Sequence, residues 1–382
     1  MIRLRVLMVC PRYLPEVGGT EMHVHEVARR LAARGSFEIT VLTTDRSRLL
    51  PRREAVEGFS VLRVPAWPRE RDYYLAPGIA AVIGQRSWDL VHCQGIHTLV
   101  PWLAMTSARR AGLPYLITFH TGGHSSRLRN ALRTTQWRLA GPLLRNAVSL
   151  IAVSRFEAAA LARQGRLGDK RVTVIRNGGA LPLPGAGTTA VPGRIVSVGR
   201  LERYKGHHRV IAALPHVMQE IPEAHLLILG SGPYERELFN LAGELGVSDR
   251  VSIRHIPSAD REAMATALAE AAVVAALSDY EAHPVAMMEA LSLARPVVGY
   301  DVAGVGELVA AGWVRGVPPG APAAVVAGEL VAAMSSTAPL EHAQLPSWES
   351  CAEQLAQVYL AAAGSRSGSR APRTADLDGS GD

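Results

Sequence analysis

Short apolar segments alternate with helical segments along most of the chain, and this alternation restricts its fold more than any other feature. The apolar run "LRVLMVC" is followed by a glycine-containing loop and then, from Thr20, by apolar residues at helical spacing that end at Gly35. Further apolar segments follow in "ITVLTT", "SVLRVP", "DLVHCQG", "PYLITFHT" and "SLIAVS". Because strands that alternate with helices usually pair in parallel, the first half predicts a doubly wound α/β domain with helices on both faces of its sheet.

A proline-, glycine- and threonine-rich segment at residues 181–193 interrupts the alternation and is predicted to be a linker. The pattern then restarts with "RIVSVGR", "AHLLILGSG", "RVSIRHI", "AAVVAAL" and "RPVVGY". We therefore expect two tandem Rossmann-like domains, residues 1–180 and 194–345, that face each other across a ligand cleft at their strand ends. Residues 346–364 are predicted to form a closing helix that packs back toward the N-terminal domain. Residues 365–382 lack apolar side chains to bury and are predicted to be disordered.

Composition excludes several classes of protein. Apolar residues make up 48% of the chain and charged residues 20%, which is a globular composition. The three cysteines, Cys10, Cys93 and Cys351, form no C-x-x-C pair, so neither a disulfide framework nor a cysteine zinc site is predicted. No segment approaches about 18 apolar residues without a charge or a helix breaker. We therefore expect a cytoplasmic protein that is soluble or, at most, peripheral to the inner face of the membrane.

Charge is divided unevenly between the two halves. Residues 1–180 contain 27 basic and 12 acidic side chains, whereas the remainder contains 14 and 22. No acidic residue lies between Leu90 and Phe156, a segment that contains eight arginines: Arg109, Arg110, Arg127, Arg129, Arg133, Arg138, Arg145 and Arg155. Such a surface attracts anionic substrates or phospholipid headgroups. Nucleic acid is not predicted as a partner, because the basic half has no recognition motif and few aromatic residues for base stacking.

The basic segment includes a predicted helix, "RLRNALRTTQWRLAGPLLRN" at residues 127–146, with four leucines on one face and arginines elsewhere. One interpretation is an amphipathic helix that lies on a membrane holding a lipid acceptor. The other is a core-facing helix with a solvated basic side. Only Lys170 and Lys205 of the 41 basic residues are lysines, so a preference for arginine is general in this chain. Both interpretations stay open.

Two carboxylates, Glu281 and Glu289, are separated by seven residues in "SDYEAHPVAMMEALSLARPVV", at a junction between a polar loop and an apolar segment. Proline suits the first turn of a helix, so a helix is predicted to begin at Pro284, with Glu281 in the loop before it and Glu289 inside it. The free backbone N–H groups of Val285 and Ala286 would form an anion site. Two acceptor-only carboxylates beside it suit a ligand that carries both hydroxyls and phosphate. The alternative is a capped helix with two surface acids.

Two positive charges follow a predicted strand in "SVGRLERYKG". Arg200 and Lys205 come after the strand end, and Gly199 and Gly206 let the backbone approach a ligand closely. An arginine and a lysine that converge on a strand end can hold a diphosphate and neutralise its charge as it leaves. Together with the two carboxylates, they suit a ligand that carries both hydroxyls and a diphosphate.

These residues together resemble the family 4 retaining glycosyltransferases, which have the two-domain GT-B fold. The resemblance runs from Val6 to about Val309 and includes the closing helix. The motifs that carry it are "PRYLPEVGGTEMHVHEVARRLAARG", "DLVHCQG", "LITFHT", "IAVS", "VIRNG", "VGRLERYKG", "LLILGSGP" and "EAHPVAMMEAL…RPVVGYDVAGVGELV". The resemblance implies an enzyme in which the C-terminal domain binds a sugar nucleotide and the N-terminal domain binds the acceptor.

The resemblance also implies roles for individual residues. Glu289 would hold the ribose hydroxyls, Glu281 the hydroxyls of the donor sugar, and Arg200 and Lys205 the diphosphate. His120, at the end of "LITFH", would contact the transferring sugar, and with Arg200, Lys205 and Glu281 it completes the predicted catalytic set. The remaining predicted donor contacts are Gly18, Gly19, Gly230, Gly232, Val285 and Ala286.

The family chemistry implied here needs no cofactor and no divalent metal, because basic side chains neutralise the leaving group. A sugar, from a UDP-sugar by preference, would pass to a hydroxyl of a small, anionic or lipid-linked acceptor, with substitution on the face that the nucleotide leaves. A covalent intermediate on an enzyme carboxylate remains open. Two other functions also remain open: a sugar-nucleotide epimerase of the same fold, and a non-catalytic subunit that binds sugar nucleotide.

Three positions depart from the family pattern. Gly179 and Ala180 stand where a hydrophobic residue and an aspartate are usual, at the junction between the domains. His283 and Pro284 replace a common Phe-Gly pair, so the loop beside the phosphate is expected to differ in shape. His255 replaces a glycine near the expected position of the base, which leaves the choice of nucleotide open.

Overall fold

The computed structural model describes residues 3–16, 18–69, 74–85, 87–121, 127–257, 259–336 and 345–367. Side chains are described for the same residues apart from 127–134 and 365–367. Two sheets form in sequence order, the first from strands β1 to β8 and the second from β9 to β14.

The first sheet has eight strands in the order β3-β4-β2-β1-β5-β6-β7-β8. Its strands are β1 (Leu4–Val9), β2 (Phe37–Asp45), β3 (Arg53–Val56), β4 (Phe59–Pro65), β5 (Leu90–Gln94), β6 (Tyr115–Thr118), β7 (Ser149–Ala152) and β8 (Val172–Val174). All neighbours pair in parallel except the edge pair β3–β4, which is antiparallel. The predicted parallel sheet thus has one antiparallel pair, at this edge. A short turn at Glu57 and Gly58 joins the two strands as a hairpin, and such a turn reverses the chain direction.

The second sheet has six strands, all parallel, in the order β11-β10-β9-β12-β13-β14. Its strands are β9 (Arg194–Val198), β10 (His225–Leu229), β11 (Val251–Arg254), β12 (Val273–Ala276), β13 (Val297–Tyr300) and β14 (Arg315–Val317). The order reverses direction between β9 and β12, and ligands of doubly wound folds bind beside such a switch point.

Helices cover both faces of each sheet. They are α1 (Gly19–Ala33), α2 (Gly78–Gly84), α3 (Leu99–Arg110), α4 (Arg127–Asn146), α5 (Arg155–Gln164), α6 (His207–Glu220), α7 (Glu235–Glu244), α8 (Arg261–Ala269), α9 (Val285–Ser292), α10 (Ala303–Ala310), α11 (Ala323–Ser335) and α12 (Trp348–Ser367). In β1, Leu7 and Val9 enter one core and Val6 and Met8 the other, and all four are fully buried. Strands buried on both faces read as continuous apolar runs, which explains "LRVLMVC".

The last helix packs on the first domain. Trp348, Leu355 and Tyr359 of α12 are buried in one cluster with Val24 and Val27 of α1. The helix continues to Ser367, three residues beyond the predicted boundary between helix and tail at residue 364. Residues 368–382 of the predicted tail lie outside the described part of the chain.

Within the described ranges, no helix is both long enough and apolar enough to cross a lipid bilayer.

Candidate functional site

The carboxyl ends of the second sheet bring the predicted diphosphate residues together. After β9, the chain passes Gly199 and forms a short 3-10 turn at Arg203–Lys205. Here the backbones approach too closely for a side chain: a Cβ added to Gly230 would lie 1.9 Å from the carbonyl oxygen of Gly199. A Cβ on Gly206 would lie 2.0 Å from the carbonyl oxygen of Leu277. Glycine at these positions therefore lets three strand ends converge.

Lys205 and Glu281 form an ion pair at this convergence. Lys205 Nζ donates to Glu281 Oε1 at 2.5 Å, and Ser278 Oγ donates to the same oxygen at 3.0 Å. The side chains of the pair are only 18% and 16% exposed, so solvent screens their attraction weakly. Burial alone would lower the pKa of Lys205, but the Glu281 carboxylate and Tyr204 together outweigh it, and the pKa is raised. The pair therefore holds a fixed ammonium charge at the carboxyl ends of the strands of the second sheet.

Arg200 lies between the second sheet and the N-terminal domain. Its guanidinium contacts Tyr204 Oη at 2.9 Å and Glu202 Oε1 at 2.8 Å, and half of the side chain is exposed. Opposite it, the buried Glu21 in the first turn of α1 pairs with Arg12 at 3.4 Å. Burial raises the pKa of Glu21, and Arg12 and Arg200 partly oppose the shift. Arg200 is thus available to an anion that enters between the domains.

Glu289 lies inside α9, as predicted, and is paired with Arg261 at the start of α8. Burial raises the pKa of Glu289, and the Arg261 guanidinium opposes that shift. Gly179 packs directly on this helix: a Cβ there would lie 2.2 Å from the backbone carbon of Met288. The glycine that departs from the family pattern therefore lets the interdomain segment touch the helix that carries Glu289.

The starts of α1 and α9 face each other across the cleft. Gly18 is the N-cap of α1, and a Cβ added to Gly19 would lie 3.8 Å from the Val285 side chain at the start of α9. Val285 and Ala286 occupy the first turn of α9. Two helix N-termini that converge in this way concentrate free N–H groups and positive dipole ends.

His120 follows β6 and joins a buried polar network. Its Nε2 lies 2.9 Å from Gln94 Oε1, and the Gln94 amide lies 3.2 Å from His92 Nε2. His92 in turn contacts Tyr359 Oη of α12 at 2.5 Å and Thr118 Oγ1 at 2.8 Å. Burial, with His23 and His92 nearby, holds the pKa of His120 well below its ordinary value. His120 is therefore a neutral imidazole at neutral pH. Gly122 and Gly123, which follow it, lie outside the described residues.

Sequence reasoning missed several polar residues that complete the site: Arg261, Ser278, Glu21, Gln94 and Asn177. Arg261 gave no signal because it lies 28 positions from its partner Glu289 and follows a different strand. Asn177 was visible within "VIRNG", but the motif alone says nothing of what its amide touches. Glu281 and Glu289 pair with different cations, Lys205 and Arg261, so the structure divides them between two parts of the site.

No group of three or more His, Cys, Asp or Glu side chains placed to hold a metal ion occurs among the residues that the structure describes. Independence of metal therefore stays a prediction.

Comparison with known proteins places this site in a family. Residues 17–179 match Glycosyltransferase Family 4, and residues 191–327 match Glycosyl transferases group 1. A glycogen synthase of Mycobacterium tuberculosis is 30% identical over 97% of each chain. The chain belongs to the family 4 glycosyltransferases. The family predicted from the motifs is confirmed, and the protein is a glycosyltransferase.

Solved structures support the fold of this glycosyltransferase. Sucrose-phosphate synthase of Thermosynechococcus elongatus superimposes with a TM-score of 0.75 at 21% identity and covers 95% of this chain and 100% of its own. The Anabaena protein HepE, solved in complex with UDP-glucose, has a TM-score of 0.68 at 19% identity and covers 96% and 100%. The predicted arrangement of two Rossmann-like domains in a GT-B fold is confirmed.

Proposed function

We propose that this glycosyltransferase transfers a sugar from a nucleotide-diphosphate sugar, by preference a UDP-sugar, to a hydroxyl of a small or lipid-linked acceptor, with retained configuration and without a metal. The observation that carries the proposal is the shielded Lys205–Glu281 pair at the carboxyl end of the second sheet. It sets a fixed cation beside a carboxylate that can accept hydrogen bonds from hydroxyls. A sugar joined to a diphosphate requires both.

The chemistry follows from these charges. The acceptor oxygen bonds to the anomeric carbon while the bond from that carbon to the diphosphate oxygen breaks. Lys205 and Arg200 stabilise the negative charge that develops on the leaving diphosphate. That diphosphate takes the proton of the attacking hydroxyl on the same face, so the configuration is retained. Glu281 orients the donor sugar, and the neutral His120 can exchange a hydrogen bond with a sugar hydroxyl.

The nucleotide binds beside the ion pair in this proposal. Glu289 accepts hydrogen bonds from the ribose hydroxyls, and the N–H groups at the start of α9 contact the phosphates. The preference for UDP is supported by the UDP-glucose bound to one structural neighbour, which makes UDP-glucose the first donor to try. The basic N-terminal half favours an acceptor that carries negative charge.

The product of a transfer reaction tests this proposal. We expect transfer in the presence of EDTA, and a product whose anomeric proton coupling in NMR matches that of the donor. An inverted product, or activity that needs an added divalent ion, contradicts the mechanism. A donor that isomerises without acceptor indicates an epimerase, and a donor that binds without transfer or hydrolysis indicates a non-catalytic subunit.

Peripheral attachment to the inner face of a membrane is part of the same proposal. It is supported by the absence of acidic residues between positions 90 and 156 and by the exposed Leu139 on α4. The side chains of Arg129 and Arg133 lie outside the described part. We expect Arg129→Glu with Arg133→Glu to release the protein from anionic vesicles, because each basic residue contributes about 1 kcal/mol to such attraction. Unchanged vesicle binding, or none in the wild type, contradicts attachment through this helix.

A further inference from the structure

Asn177 is a buried amide that joins the two domains beside the cleft. It follows β8, and its Nδ2 donates to the backbone carbonyl oxygen of His283 at 3.1 Å. Its Oδ1 lies 2.9 Å from His23 Nδ1 on α1. Because the amide nitrogen must be the donor to a carbonyl, Oδ1 is the acceptor, and the bond to His23 places the imidazole proton on Nδ1. One side chain therefore contacts an N-terminal helix and a C-terminal loop.

The two hydrogen bonds of Asn177 form a bridge between His23 and His283. His283 belongs to the loop that carries Glu281. We call residues 278–283 the donor loop. Among its other contacts, Gly304 N donates to the Glu281 carbonyl oxygen at 2.8 Å, and Tyr280 packs edge-to-face on Phe156 at 5.7 Å between ring centroids. The bond from Asn177 thus fixes the end of the donor loop against the N-terminal domain, two residues beyond Glu281.

The His23 side of the bridge leads to His120. The two rings meet edge-to-face with centroids 4.7 Å apart, and Trp348 of α12 packs on His23 at 5.9 Å. Burial lowers the pKa of His23 to about 4, so the ring is neutral and keeps its single proton for Asn177. His23 Nε2 is buried and has no hydrogen-bond partner among the described residues. The orientation of this ring is therefore set by one hydrogen bond and by packing, and the ring in turn limits where His120 can lie.

We propose that Asn177 is a positioning residue that couples the placement of the donor loop to that of His120, so that both are aligned only when the domains meet as they do here. The inference rests on the proposed function, in which Glu281 and His120 both contact the donor sugar. Misplacement of reacting groups by about 1 Å costs on the order of 100-fold in rate, so a single buried amide can have this effect.

Three variants separate the two arms of the bridge. Asn177→Ala removes both bonds. Asn177→Asp keeps an acceptor for His23 but loses the donor to His283. His23→Phe keeps the ring between His120 and Trp348 but loses the bond to Asn177. Asn146→Ala, which removes only an exposed bond to the Pro142 carbonyl oxygen, is the matched control.

We expect kcat to fall by about 10- to 100-fold in all three variants, with little change in donor KM, because Lys205 and Glu289 stay in place. In Asn177→Ala with His23→Phe the losses should overlap rather than multiply, since both changes break one connection. The control should keep the wild-type rate. Thermal unfolding of each variant checks that the fold is intact.

The pH profile gives a readout that a purely structural role would not move. A carboxylate at position 177 raises the pKa of His23, so kcat of Asn177→Asp should fall as the pH drops and His23 becomes charged. Three groups face the two ends of the bridge: His92 from β5, His120 after β6, and Arg176 near His283. The two histidines are held neutral by burial, so the new acidic limb would belong to the pair of His23 and the carboxylate introduced at position 177.

Failure of the positioning role and failure of the proposed function give different results. If the wild type transfers sugar and folded Asn177→Ala keeps its kcat, or if Asn177→Asp shows no acidic limb, the positioning role is wrong while the proposed function stands. If the wild type turns over no donor, the proposed function fails and the inference fails with it.

Discussion

Replacement of Lys205 by alanine should lower kcat by about 10²- to 10³-fold while the fold stays intact. Lys205 is the shielded cation at the convergence of the strand ends, and its ammonium is held charged by Glu281. Removal of a preorganised charge from beside a developing negative charge typically costs this much, because any water that takes its place must reorganise as the charge develops. Steady-state transfer kinetics at saturating donor measure the loss.

The only other lysine is the natural control. Lys170 lies in the turn between α5 and β8, remote in the fold from the strand ends of the second sheet. Lys170→Ala should keep the wild-type kcat, and Lys205→Arg should retain more activity than Lys205→Ala because the charge survives. Equal rates for Lys205→Ala and the wild type would remove Lys205 from the mechanism.

The second large effect is expected for Glu281→Gln. The amide keeps the size of the side chain but loses the charge that faces Lys205 and one acceptor for the donor sugar. We expect kcat to fall by on the order of 100-fold, since a charged hydrogen-bond partner contributes about 1.5 to 3 kcal/mol and orientation is lost as well. The same transfer assay, at several donor concentrations, separates kcat from KM.

The pH dependence of Glu281→Gln gives an independent check. In the wild type, burial lowers the pKa of Lys205, but the Glu281 carboxylate and Tyr204 together outweigh it, and the pKa is raised. Without that carboxylate, burial and the nearby Arg200 lower the pKa, so the ammonium loses its proton at a lower pH. The alkaline limb of kcat should therefore move to lower pH in the variant. An alkaline limb that stays where the wild type has it would show that the pair does not control Lys205.

Much of the fold followed from local pattern. Apolar runs such as "LRVLMVC" and "AAVVAAL" are long enough to be strands buried on both faces, and each lies in a sheet. The strands that the pattern missed, β3, β8 and β14, are three or four residues long and have few buried side chains. Edge strands of this length carry too little apolar periodicity to stand out.

Only part of the candidate site could be predicted from the sequence. Lys205 and Arg200 follow one strand within a short motif, so their convergence could be predicted from chain order. The pairing of Glu289 with Arg261 and the bridge through Asn177 connect elements 28 and 154 residues apart along the chain. Such contacts depend on how elements that are distant in sequence pack together, and no local pattern encodes that geometry. The roles assigned to individual residues stay predictions until variants are measured.

The departures from the family pattern have different structural outcomes. Gly179 permits contact with the backbone of α9, which a larger side chain would prevent. His283 is buried and both ring nitrogens lack hydrogen-bond partners among the described residues, while burial and Arg176 lower its pKa to about 3. Its backbone carbonyl, rather than its ring, makes the contact to Asn177. His255, just after β11, makes no contact with the described residues that explains why histidine stands there in place of glycine.

Donor binding tests the central claim most directly. Titration calorimetry of the metal-free protein with UDP-, GDP-, ADP- and dTDP-sugars should show saturable binding of one donor. Glu289→Ala should weaken that binding by about 10- to 100-fold, through loss of charged hydrogen bonds to the ribose. Glu289→Gln keeps the size of the side chain. Glu329→Ala, which removes only a surface partner of Arg315, should bind like the wild type. Absence of binding to every donor, or equal affinity in Glu289→Ala and the wild type, would contradict the account.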